Sequence, residues 1–400
     1  IDVAGQAGGG AVKLTSTNAI YAHPEAKLNA SATDNGNGGS IIMKSDKILG
    51  FHGSAEATGG TLGGNGGFIE TSSKDSFSIA KAKINTSALR GKTGQWLIDP
   101  YDIYISDRPT DIARINYTDG MYYTATGDSA NINIGELLGY LEKNDIIVLT
   151  ATADLGTERG DIYLNNDLNY TGARNARLIL KSVNDIYLNG AISSISLQMD
   201  ADRVIYVNKD IDVESLLIGF NTESKNSETH ITASIIKTQG DQEYWNWVSI
   251  FSNPAEENAD AAQLVSWENI NFHDFLWVNK KNVVIAGGNI EFNGGLGVCD
   301  GCVLGLNNHG NLEQVYGPFS GTLQLSESKE SVVYGSSNLY LYNPSSLAVL
   351  NSVNKNAYAD EDADSLLFKK RLNSGSGTGL SVVAKNADAS QLVAPQTCSG

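Results

Sequence analysis

GGAVKLTS at residues 9–16, GGSIIMKS at 38–45 and GGFIETSS at 66–73 are one motif written three times, at spacings of 29 and 28 residues. Gly94-Gln95-Trp96-Leu97 continues it about one residue short of phase. A short apolar alternation follows each glycine pair: Val12 and Leu14, Ile41 and Met43, Phe68 and Ile69. A second apolar step falls mid-repeat, at Ile20, Ile48-Leu49, and Phe77 with Ile79. A third, at Leu28, Ala55 and Ile84, precedes the next glycines. Three short strands in a repeat of roughly 28 residues predict the coil of a right-handed parallel β-helix, all-β, with inward side chains stacked in a continuous apolar column. The glycines permit the bent backbone of the corners. An antiparallel sandwich is the alternative, but its turns would not recur at a fixed step.

The rest of the chain is read against that repeat. Residues 1–106 are expected to be regular coils. Residues 107–298 continue the helix with insertions, including a loop at 240–270, and 299–400 form an end cap and carboxyl-terminal tail. The cap is expected because an open end would expose strand edges. Within the tail, Ser365–Leu372 reads as a short helix or an extended arm, and Ser374–Gly379 as a flexible linker. Because the pattern at Ile1 begins in mid-phase, the chain reads as a piece of a longer protein.

Composition narrows the function. The 42 Gly and 7 Pro suit many short strands joined by tight turns. A net charge of −17 argues against nucleic acid and anionic membrane as partners. No apolar run approaches the ~20 residues that span a bilayer. Of the three cysteines, Cys299 and Cys302 are expected to form a small structural disulfide, with Cys398 as the rival partner of either. The chain carries no nucleophile elbow, zincin helix, phosphate loop or EF-hand loop, so no enzyme activity, metal or cofactor is expected. His273 beside Asp274 reads as a packed or surface histidine.

Gly91–Ser106, GKTGQWLIDPYDIYIS, closes the regular repeat. Trp96 reads as a packing residue, and Tyr101, Ile103 and Ile105 form a strand entered through Asp99-Pro100. Ile134–Leu141 has helical spacing and is expected to cap or insert into the solenoid. Gly160–Leu164, Asp185–Gly190 and Val204–Val207 echo the DIY theme. The block Gly94–Ser106 resembles the large exoproteins of two-partner secretion in Gram-negative bacteria, the filamentous haemagglutinin-like adhesins. The resemblance covers roughly residues 1–220 and is strongest to the haem/haemopexin-binding type. It implies a secreted or surface-held protein that meets an outer-membrane secretion pore and grips a host protein, haemopexin, promoting haem release.

Four of the five tryptophans, Trp245, Trp247, Trp267 and Trp277, fall within 245–277. Gly240–Asn269 lacks glycine corners and carries Pro254 and the acidic run 256–260, so it reads as a long excursion. Tyr244, Trp245, Trp247, Phe251 and Asn253 are the expected partner-binding residues, because such aromatics dominate interface hot spots. The alternative is a covering loop, above all for Trp267, Phe272, Phe275 and Trp277. The expected function is therefore non-enzymatic binding of a host protein, with an adhesin for host glycans or matrix polysaccharide as the alternative.

Overall fold

A computed structural model describes residues 1–293, apart from 75, 111–114, 119–121, 126–129, 151–158, 221–226 and 253–260, and seven strands beyond them. Asn253, the three cysteines, the acidic run and 374–379 lie outside the described residues. The fold is a parallel β-helix, and the chain divides into two compact units, Ile1–Ile205 and Tyr206–Gly400.

The first unit begins with three coils of three strands. They are Ala11–Ser16, Ala19–Ala22 and Lys27–Asn29; Ser40–Ser45, Ile48–Phe51 and Ser54–Glu56; and Phe68–Ser73, Ser76–Ser78 and Lys83–Asn85. Each strand pairs in parallel with its counterpart one coil on. The first sheet continues through Gln95–Asp99, Asp145–Leu149, Arg177–Ser182 and Ser196–Ala201. Its register puts Val12, Ile41, Ile69, Trp96, Ile146, Leu178 and Leu197 in one inward column, all buried. Trp96 is a core residue, as its position in the motif predicts, and its Nε1–H donates to Thr71 Oγ1 at 3.1 Å.

The glycine pairs have a specific task. Carbonyls at the end of each coil, on Ala30, Ala57 and Thr86, accept from the N–H of Gly39, Gly67 and Gly94 at 2.7, 2.7 and 2.8 Å. Gly9, Gly38 and Gly66 of the preceding coil press directly on those bonds. This lock recurs once per coil, at the step of the glycine pairs.

After the third coil the rhythm changes. Ile103–Ser106 pairs in parallel with Ala130–Asn133 on one side and Ile162–Leu164 on the other, and Ile115–Thr118 with Tyr122–Ala125 forms an antiparallel hairpin between them in sequence. The helix Ile134–Leu141 follows, as its spacing predicts. Asn133 caps it by accepting from the N–H groups of Gly135 and Glu136. Leu137 and Leu141 are buried, and Tyr140 donates to Ala82 O at 3.1 Å. Asn144, fully buried, accepts from Thr86 N and Thr86 Oγ1 and donates to Ile84 O and Tyr140 O. Asn144→Ala strips partners from buried backbone and should lower unfolding free energy by about 2 kcal/mol, read from the urea midpoint.

The DIY echo is a ladder. Asp102 Oδ1 accepts from the N–H groups of Gly160 and Asp161, Asp161 Oδ1 from Asn184 Nδ2 and Asp185 N, and Asp185 Oδ1 from Val204 N. Each carboxylate thus satisfies backbone of the next coil. Tyr104, Tyr163 and Tyr187 stack beside them at 4.6 and 4.8 Å.

Burial pushes up the carboxyls of Asp99, Asp102 and Asp145, in the last case against the opposing pull of Arg174 and Arg177. Such a group binds its proton more tightly folded than unfolded. Its contribution to stability is fully present below the ordinary carboxylate pKa and is lost as pH rises through the folded value. The urea midpoint should therefore rise as pH is lowered from about 7 to about 4.5. Relief of repulsion within a chain of net charge −17 acts in the same direction. A midpoint that falls steadily over that interval would contradict this.

The second unit stacks three sheets. The first holds Ser215–Ile218, Gln242–Tyr244, Asn269–Phe272, Asn289–Phe292 and Leu323–Leu325. The second holds Glu228–Ile231, Trp247–Phe251, Leu276–Asn279, Leu296–Val298 and Val332–Val333. The third runs from Ile211–Val213 through Ile235–Thr238, Ala261–Ser266, Asn282–Ala286, Val303–Asn307 and Asn338–Tyr342 to Leu380–Lys385. Leu367–Lys370 pairs antiparallel with that last strand, so this stretch is extended and runs opposite to it.

For the described residues, 240–252 and 261–270, this arrangement corrects the expected excursion. Gln242–Tyr244, Trp247–Phe251 and Ala261–Ser266 are ordinary rungs, and no described residue of 240–269 projects as a finger. Tyr244 is fully buried, stacked on Phe272 at 4.9 Å, with Phe292 on the far side of Phe272 at 5.3 Å. It cannot touch a partner in the folded protein. At the bend between Gln242–Tyr244 and Trp247–Phe251, Asn246 is buried and its carboxamide oxygen accepts from Thr229 Oγ1 at 2.9 Å.

Candidate functional site

From Tyr244 to Val248 side chains alternate in and out. Tyr244, Asn246 and Val248 are buried, while Trp245 and Trp247 are 43% and 42% exposed. The strand pairing sets Tyr244 opposite Phe272 and Val248 opposite Leu276, which puts each indole beside the residue 28 positions on. Trp245 stacks on His273 with ring centroids 3.7 Å apart and planes 15° from parallel. Trp247 leans on Phe275 at 5.1 Å and 50°. Two half-exposed indoles therefore flank the bend at Asn246, each braced by a ring of the next coil.

Polar groups fix the braces. His273 Nε2 lies 2.5 Å from Glu243 Oε2, and Glu243 Oε1 accepts from Asn271 Nδ2 at 2.6 Å. Trp247 Nε1–H donates to Ser249 Oγ at 3.0 Å. On the side of the preceding coil, the backbone N–H of Trp245 donates to Ile218 O at 2.9 Å. Gly219 has φ +67°, and a Cβ there would lie 2.5 Å from the Asn246 side chain. Position 219 is thereby held to glycine. Further along the same rung, His230 packs edge-on against Phe251 at 5.3 Å and pairs with Glu228.

Of the expected binding residues, Trp245, Trp247 and the half-buried Phe251 share this face, Tyr244 is in the core and Asn253 lies outside the described residues. Trp267, expected to pack down, is the most exposed of the tryptophans at 52%, on the corner between Ala261–Ser266 and Asn269–Phe272. Phe272 is buried as expected. The sequence reading missed His273, Glu243 and Asn271 as parts of the face. The signal was available: 28 residues, the step from the second coil to the third, also separates 245 from 273 and 247 from 275.

The ledge offers flat apolar rings, a ring nitrogen and carboxylate and amide groups, held in place before any ligand arrives. Among the described residues, no group of three or more His, Cys, Asp or Glu could hold a metal ion. No helix among them is long and apolar enough to cross a membrane. Comparison with protein-family models, characterised proteins and solved structures finds no match.

Proposed function

We propose that this chain is a non-enzymatic binding module of a secreted or surface-held exoprotein, and that its ledge grips neutral glycans of a host surface or matrix. The observation that carries the reading is the pair of half-exposed indoles braced by His273 and Phe275. Indole faces and edges suit the C–H face of a pyranose, and Glu243, Asn271 and His273 next to Trp245 supply polar groups for ring hydroxyls. Because the rings are already stacked, little side-chain entropy is lost on binding. Nucleobases also stack on aromatics, but Glu228, Glu243 and Asp274 around the rings, within a chain of net charge −17, repel phosphate. The same carboxylates favour neutral over acidic sugars at this ledge.

A host protein, haemopexin on the family resemblance, is the second reading, because exposed tryptophans are the usual anchors of protein interfaces. It ranks second because displacement of haem by insertion needs a projecting finger, and Trp245 and Trp247 stand on rungs. One experiment separates the two. The chain is titrated with neutral oligosaccharides while tryptophan fluorescence is followed, and in parallel is mixed with haemopexin–haem while the Soret band and co-elution are followed. A saturable fluorescence change with no Soret shift supports the glycan reading. Co-elution with haem release, and no glycan response, would replace it with the second.

A further inference from the structure

A second feature lies in the first unit. A shallow groove of about 810 Å³ runs across four successive coils where the glycine pairs leave the surface without side chains. The glycines themselves say nothing about a ligand, since the coil-closing lock already requires them. What surrounds them does. Asn37 Oδ1 accepts from Asn65 N at 2.8 Å, and Asn65 Oδ1 accepts from Lys92 N at 2.9 Å. Each carboxamide oxygen is thus turned to the next coil of the fold, and the amino groups of these exposed side chains are left to donate, one coil step of about 4.8 Å apart. Lys92 continues the row, and Gln95 and Arg177 line the same groove.

Among the described residues that line it there is no Asp or Glu, in a chain that carries 45 acidic against 28 basic residues. The nearest carboxylate in the strand register, Asp145, is held by both Arg174 and Arg177. Phe68, half-buried, supplies one apolar wall. A row of donors and cations at a regular step selects an extended ligand that presents acceptors at a similar step. A pyranose chain has a repeat of that order.

We infer that this groove binds a linear acidic polysaccharide, a polyuronate whose successive carboxylates and hydroxyls meet Asn37, Asn65 and Lys92. The site is independent of the tryptophan ledge and has the opposite charge preference.

The test is calorimetric titration of the full chain with a short oligouronate and with the same oligosaccharide after reduction of its carboxyls. The uronate is expected to bind, more weakly as salt rises, and the reduced form to bind at least about tenfold more weakly. Asn65→Asp keeps the oxygen that accepts from Lys92 N–H but replaces the outward donor with negative charge. Lys92→Glu reverses the charge at the end of the row. Each should weaken uronate binding about tenfold with circular dichroism unchanged. Trp245→Ala/Trp247→Ala should leave it unaltered. Absence of uronate binding at low salt, equal binding of the reduced form, indifference to both groove variants, or loss in the tryptophan variant would each overturn the inference.

Discussion

Trp245→Ala/Trp247→Ala is expected to weaken neutral-glycan binding by at least about a hundredfold while the protein stays folded. Aromatic stacking contributes on the order of 1–3 kcal/mol per ring where it has been dissected with planar ligands. Two rings together reach the ~2.7 kcal/mol that a hundredfold change represents. Stability should move by less than about 1 kcal/mol, because both indoles are more than two-fifths exposed and neither inward column is touched. The comparison that gives the result meaning is Trp267→Ala. Trp267 is more exposed than either ledge residue, so a general stickiness of surface indoles would show there too. Binding that survives the double variant, or that falls equally in Trp267→Ala, removes the ledge from the function. Tyr244→Ala behaves differently. It removes a fully buried ring stacked on Phe272 and should cost about 3–5 kcal/mol of stability. Any loss of binding in that variant would track unfolding.

How far the residues alone carried the fold follows from the same contrast. Where glycine pairs recur at 28 or 29 residues, the three strands per coil, the corners and the inward column are all legible, because the lock at each corner leaves its mark on the sequence. The helix at Ile134–Leu141 is legible from spacing, since its cap and buried leucines are local. The stretch from Gly240 is not legible by the glycine-pair rule, because a single glycine, Gly240, and not a pair, precedes the strand Gln242–Tyr244. Period-two alternation through Tyr244, Asn246 and Val248 was the better guide, and it separates the buried Tyr244 from the exposed Trp245 and Trp247. The partners of the indoles were hidden for another reason. His273 and Glu243 join the site only through pairing between coils, which a local motif does not contain. The donor row at Asn37, Asn65 and Lys92 is likewise a property of stacked coils.

That dependence on stacking makes glycine substitution the sharpest test of the architecture. Gly66→Ala and Gly139→Ala add the same methyl group and should move stability in opposite directions. At Gly66 the new Cβ would lie 1.7 Å from Thr86 O and 2.5 Å from Gly94 N, inside the 2.8 Å hydrogen bond that closes the coil. Thr86 cannot retreat easily, because Asn144 holds both its N–H and its hydroxyl, and Asn144 is tied in turn to Ile84 and the end of the helix. The clash must separate backbone from backbone, and a loss of about 3 kcal/mol or more is expected. At Gly139 nothing lies within 4 Å, and the residue is exposed in the middle of a helix. There alanine removes only the conformational entropy of glycine, and a gain of about 1 kcal/mol is expected. Denaturant midpoints of the two variants, measured side by side, decide the matter. If Gly66→Ala unfolds at the wild-type midpoint, the corner glycines are not the lock that spaces the coils, and the origin of the 28-residue step must be sought in the apolar columns instead.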